Sequence, residues 1–245
     1  MEVHAHTHSE RKKWTHYFWE FLMLFLAVFC GFLAEYQLEH TIEHQREKKY
    51  IRSLYEDLKR DSATIVGEID YRNGLSKSAR SLITDLDTAD KIRVTDNVYN
   101  NAYHLTANPV FEYSNGTIEQ LKHSGLFRLI RKKEVADNII DYDMAVSWVF
   151  RRVEGEEEIR PEYRKAISEL LNGKFLILFA EMDANNNYQP INLPFLSTGA
   201  GTVNRVIGAA AQLHNQNGII INNLKELLKK RNKLADLLRK EYYLN

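Results

Sequence analysis

The chain has 245 residues, with 33 basic and 33 acidic side chains and a formal net charge of zero. That balance removes the global electrostatic reason to expect nucleic acid as a partner. The single cysteine, Cys30, excludes an intrachain disulfide. Four prolines and eleven glycines leave room for long uninterrupted helices.

Residues 1–13 form a polar tail carrying "HAHTH" (4–8) and the basic cluster Arg11, Lys12 and Lys13. Alternating imidazoles at His4, His6 and His8 are weak metal-ligand candidates, against the reading of a plain solvated tail. Residues 14–38 follow with no charge between Phe21 and Ala34. A helix needs about 20 mostly apolar residues to cross a membrane, and this segment supplies them. A cleaved signal peptide is the competing reading, since a basic cluster precedes the run. Phe32 before Ala34 spoils the small-x-small cleavage pattern, and Phe29 before Cys30 spoils a lipoprotein site. An uncleaved transmembrane helix is therefore expected.

Helical spacing divides that segment into two faces. Phe18, Leu22, Phe25, Phe29, Phe32 and Tyr36 form a bulky stripe. Glu20, Leu24, Ala27, Gly31, Ala34 and Glu35 fall opposite, and Ala27 and Gly31 have the small-xxx-small spacing of close helix contacts in lipid. Either the two glutamates reach headgroup water, or this slim face packs on another membrane helix, of the same chain or of a partner protein.

Residues 39–50 read as a helical neck, "EHQREKK" (43–49) being polar all round. The "HTIEH" run (40–44) resembles the H-x-x-E-H motif of inverted zinc proteases. His40 and His44 at i and i+4 could share a metal, with Glu43 as base. The position beside a membrane segment, with no large α/β domain following, favours a plain neck.

Residues 51–245 are periodic at three and four. Ile51, Leu54, Leu58, Ser62, Ile65 and Ile69 form one seam, and Leu75, Ala79, Leu82 and Leu86 another, with Asn73-Gly74 expected to kink or break the helix between them. "TIEQ" at Thr117 reads as a capping box, and Ser124-Gly125 as a helix end. Val135, Ile139, Tyr142, Val146, Val149 and Val153 make the next seam. "EGEEE" (154–158) reads as a solvated acidic turn, and Tyr163, Ile167, Leu170, Leu171, Phe175 and Leu178 resume after Pro161. "FLILFA" (175–180) is too short to span a membrane. In "STGAGT" (197–202) Thr202 reads as a helix cap rather than part of an anion loop. A last helix runs from Val203 to Leu238, its seam including Asn217 and Arg231. Sustained strand alternation is absent. The fold expected is all-α: one N-terminal transmembrane helix followed by an antiparallel bundle of long, coiled-coil-like helices.

The stretches "YFWEFLMLFLAVFCGFLAEYQLEH", "TIEQLKHSGLFRLIRKKEVADNIIDYD" and "LLRKEYYL" resemble a family of uncharacterised bacterial proteins with one N-terminal membrane helix and a helical C-terminal region. The resemblance implies a bacterial inner-membrane setting and carries no catalytic residue. The nearer basic cluster places the N-terminus in the cytoplasm and the C-terminal domain in the periplasm. With no G-x-S-x-G and no nucleophilic cysteine outside the apolar segment, a non-enzymatic scaffold or accessory subunit of a membrane complex is expected, with no cofactor. Two alternatives are a ligand-sensing helical bundle signalling through a partner and a metal-dependent enzyme built on "HTIEH".

Overall fold

The computed structural model describes residues 14–87, 96–185, 187–189 and 193–244. His4, His6 and His8 lie outside the described residues, as does the rest of the 1–13 tail. These described residues contain six α-helices, in chain order α1 (Trp14–Asp87), α2 (Asp96–Thr106), α3 (Gly116–His123), α4 (Lys133–Leu170), α5 (Lys174–Asn185) and α6 (Ala200–Tyr242). A 3-10 turn, Leu126–Leu129, follows α3. Among the described residues there is no strand. The chain divides into two compact units, the first ending at Lys49 and the second running from Tyr50 to Asn245.

The first unit is the N-terminal part of α1. Its apolar residues are open to the surroundings: Phe21 is 65% exposed and Val28 72%. Phe21, Phe25 and Phe29 stack along one side, with ring centroids 6.2 and 5.9 Å apart. Among the described residues one helix is long and apolar enough to cross a membrane, and none of its apolar window is buried.

In the second unit two apolar clusters form the core. The first gathers Ile51, Leu58 and Ile65 of α1 with Ile118 of α3, Val146 of α4 and Leu224 of α6. The second joins Leu75 and Leu82 of α1, Tyr99 of α2, Tyr163 of α4, Phe175 of α5 and Val206 of α6. Side-chain pairs fix the helix directions. Lys132, just before α4, and Asp141 and Arg152 within it meet Glu241, Lys230 and Gln216 of α6, so these helices run in opposite directions. Arg231 Nε donates to Leu58 O at 2.6 Å and Arg80 reaches His214 at 3.3 Å, so α6 also opposes α1.

Several sequence expectations are corrected. Helix α1 passes through Asn73-Gly74 without a break. A glycine in a helix costs only about 1 kcal/mol relative to alanine, and burial of Arg72 and Leu75 on either side holds the helix. Pro161 lies inside α4 rather than between two helices. The capping box is absent: α3 begins at Gly116 with Asn115 before it and no side-chain cap, and Thr117 is buried. Thr202 lies in the first turn of α6 after Gly199, not at its cap. Gly125 does take the left-handed conformation after α3, at φ 66°. Glu47 is 3% exposed, so the neck is not solvated all round.

Candidate functional site

Between the two apolar clusters lies a layer of buried polar groups. Arg72 of α1 and Asn217 of α6 are 0% exposed, and Glu156 and Arg160 of α4 are 2% exposed. Arg72 Nη1 donates to Glu156 Oε2 at 2.8 Å and to Asn217 Oδ1 at 2.9 Å, while its Nε donates to Glu68 Oε1 at 2.6 Å. Arg160 Nη2 donates to the other oxygen of Glu156, and its Nη1 to the carbonyl of Leu105 at 2.7 Å. One carboxylate thus bridges two guanidinium groups on two helices. Burial pulls the Arg160 guanidinium below its ordinary range, opposed by the charge of Glu156.

The same layer caps α2. Helix ends leave carbonyls unpaired, and the last turn of α2 presents Leu105 O to Arg160 and Thr106 O to Arg164 Nη2 at 2.7 Å. Tyr163 Oη donates to Ala102 O at 3.0 Å. Two cations at a helix C-terminus also oppose its dipole favourably. Burial pushes the Tyr163 phenol well above its ordinary range.

A second buried group lies in the first apolar cluster. Asp61, 1% exposed, accepts from Tyr142 Oη at 2.6 Å and from the backbone amide of Ser114 at 2.7 Å. Burial raises the Tyr142 phenol strongly, and the bond to Asp61 and its charge add to that.

Nearby, an open groove of about 710 Å³ is lined by Arg52, Asp57 and Arg60 of α1 and by Asn115 and Gly116 at the start of α3. Arg60 Nη2 donates to Asp57 Oδ1 within it. The groove could seat a small polar molecule; hydroxyls of Ser53, Ser114 and Thr117 and the carboxylate of Glu56 also line it.

Of the sequence's candidate ligands, His40 and His44 lie among the described residues. The His40 ring packs edge-on against Tyr36, centroids 4.4 Å apart. His44 Nδ1 lies 3.3 Å from Glu47 Oε2. Among the described residues no three His, Cys, Asp or Glu side chains converge as a metal site would require. Glu20, Leu24, Ala27, Gly31, Ala34 and Glu35 are all exposed on unbroken helix. A Cβ at Gly31 would meet nothing within 4 Å.

The polar layer was missed because "EGEEE" looks solvated. A signal was present: Val149, Val153, Glu156, Arg160 and Tyr163 continue one four-three series straight through the acidic run. A charge at a seam position is a buried charge when the helix does not stop.

These features define an all-helical protein with one candidate membrane span and a core divided by a charged layer. No family model, curated protein or solved structure matches the chain.

Proposed function

We propose that the protein is a non-enzymatic scaffold or accessory subunit: a single membrane helix carrying an antiparallel helical bundle. The observation that carries this reading is the exposure of the whole apolar stretch of α1. A continuous apolar helix surface of membrane length is stable only when lipid or another helix covers it. The buried polar groups serve packing and are closed to substrate, which supports a structural role over catalysis. The resemblance to uncharacterised bacterial membrane proteins points the same way, with an inner-membrane location, a cytoplasmic N-terminus and a periplasmic bundle. The groove beside α3 is what favours the second reading, a ligand-sensing bundle working through a partner.

The test has two parts. Alkaline carbonate should leave the intact chain in the membrane pellet; its release would refute the anchor. Mild-detergent purification with mass spectrometry should then recover partner proteins or further copies. Gly31→Leu adds bulk to the slim face, where the free chain has room for it, and should disrupt co-purification. Phe29→Leu, on the bulky stripe, should not. Equal recovery from both would mean that the slim face meets no helix.

A further inference from the structure

The groove between α1 and the start of α3 holds groups whose demands one small molecule can meet together. Helix α3 opens at Gly116 with no side-chain cap, so its first amides and its dipole favour an anion there. Arg52, exposed on α1 and lining the same groove, pairs with no carboxylate among the described residues. Both features call for a negative group on a ligand.

Asp57 calls for the opposite. Its side chain lines the groove and is 10% exposed. One oxygen accepts from Arg60, and the other, Oδ2, is buried without a hydrogen-bond partner. A buried carboxylate oxygen with no donor is costly, and a cationic donor is the strongest remedy. The Arg60 side chain is itself 65% exposed. Its guanidinium can turn to solvent at little cost and leave Asp57 to a cation entering from the groove. Glu56 is held by Lys59 at 3.0 Å, so Asp57 is the carboxylate left for a ligand. Charge in the lining balances, Arg52 and Arg60 against Glu56 and Asp57. A ligand of either net charge would upset that balance, whereas one carrying a separated pair of charges keeps it.

We infer that the groove binds a free α-amino acid with a polar side chain, its carboxylate on Arg52 and the first amides of α3 and its ammonium on Asp57. Hydroxyls of Ser53, Ser114 and Thr117 and the Gln120 amide also line the groove, and suit a polar side chain over an aliphatic one. The inference rests on the ligand-sensing reading and names its ligand class. Occupancy has a path to the core, since the Ser114 amide donates to Asp61 at 2.7 Å and Asp61 accepts from Tyr142 of α4 at 2.6 Å.

Calorimetric titration of the detergent-solubilised full chain provides the test, with L-serine, L-glutamine, glycerate and serinol as probes. Glycerate has a hydroxyl where serine has its ammonium, and serinol a hydroxymethyl group where serine has its carboxylate. Serine should bind about tenfold or more tightly than either, the scale of one charged hydrogen bond. Asp57→Asn should remove the preference for serine over glycerate. Arg52→Gln, at an exposed position, should narrow the preference for serine over serinol. A change of folding alone would weaken all the probes alike and leave both preferences in place. Glycerate binding as tightly as serine to the parent chain would overturn the ligand class, and the sensing reading would stand on a site for acids. No binding of either amino acid would overturn the site itself. Serine that binds with these preferences but leaves the co-purifying proteins unchanged would uphold the ligand and refute the sensing reading.

Discussion

Removing the Glu156 carboxylate should be far more damaging than removing any of its acidic neighbours. Glu156 is 2% exposed and accepts from Arg72 and Arg160, themselves 0 and 2% exposed. In Glu156→Ala, Arg72 keeps Glu68, and Arg160 keeps only the Leu105 carbonyl. Breaking a buried ion pair by deleting one partner costs about 3–5 kcal/mol, because the other charge stays buried without compensation. For a unit of this size each kcal/mol moves the melting temperature by about 2–4 °C, so a fall of about 6–20 °C is expected. Glu156→Gln keeps the shape and one acceptor, and should lose about 2 kcal/mol, the scale of a charged hydrogen bond.

The assay is thermal unfolding of the detergent-solubilised full chain followed by circular dichroism. Glu154→Ala and Glu158→Ala, at exposed positions, should fall within about 0.5 kcal/mol of the parent. Replacing the whole set, as Arg72→Met with Glu156→Leu and Arg160→Met, should be less harmful than Glu156→Ala alone. It removes the charges rather than stranding them. A Glu156→Ala protein that melted with Glu158→Ala would refute the argument: the carboxylate would then not be holding two buried cations.

Val146, 1% exposed in the first apolar cluster, should not tolerate aspartate. Val146→Asp buries an unpaired charge and should lower stability by at least about 3 kcal/mol, and a parental melting curve would refute that placement. Alkaline stability should depend on Tyr142 and Tyr163, whose phenols are raised above the ordinary 10.0, chiefly by burial. Below pH 10 both states hold these protons and stability is unaffected. Above it the unfolded chain releases protons that the folded chain keeps, so stability falls by about 1.4 kcal/mol per pH unit for each tyrosine. Tyr142→Phe should reduce that slope by about 1.4 kcal/mol per pH unit in denaturant titrations at rising pH, and an unchanged slope would count against the burial argument.

Apolar periodicity made most of the helical content legible. Ile51, Leu54, Leu58 and Ile65, the Val135–Val149 series and the α6 seam from Val203 to Leu238 are buried with few exceptions. Local punctuation was less informative than it looked. Gly74 and Pro161 weaken a helix by about 1 and 3 kcal/mol respectively, and long helices packed along their length absorb such penalties. The "TIEQ" pattern has the right chemistry, yet Thr117 is drawn inward and buried. The candidate site was least legible because its residues come from three helices far apart in sequence. Arg72 is 84 positions from Glu156 and 145 from Asn217. Composition cannot pair them; only their seam positions hint that they are inside.

The polar layer also explains how three long helices select one alignment. Apolar seams repeating at three and four fit one another in several registers, since a slide of one turn, about 5.4 Å, replaces one aliphatic contact by another. Polar pairs do not repeat. Sliding α6 by a turn would withdraw Asn217 from Arg72 and Arg231 from the Leu58 carbonyl, leaving buried donors and an acceptor unmatched. Sliding α4 would separate Glu156 from Arg72 and Tyr142 from Asp61. Each buried group so stranded costs about 1–3 kcal/mol, more where charged. Even in register the layer is imperfect: Arg72 Nη2, Arg160 Nε and Asn217 Nδ2 are buried without a protein acceptor. A layer with such donors contributes little net stability against a well-packed apolar one. Its contribution is to penalise every other alignment more heavily than the native one.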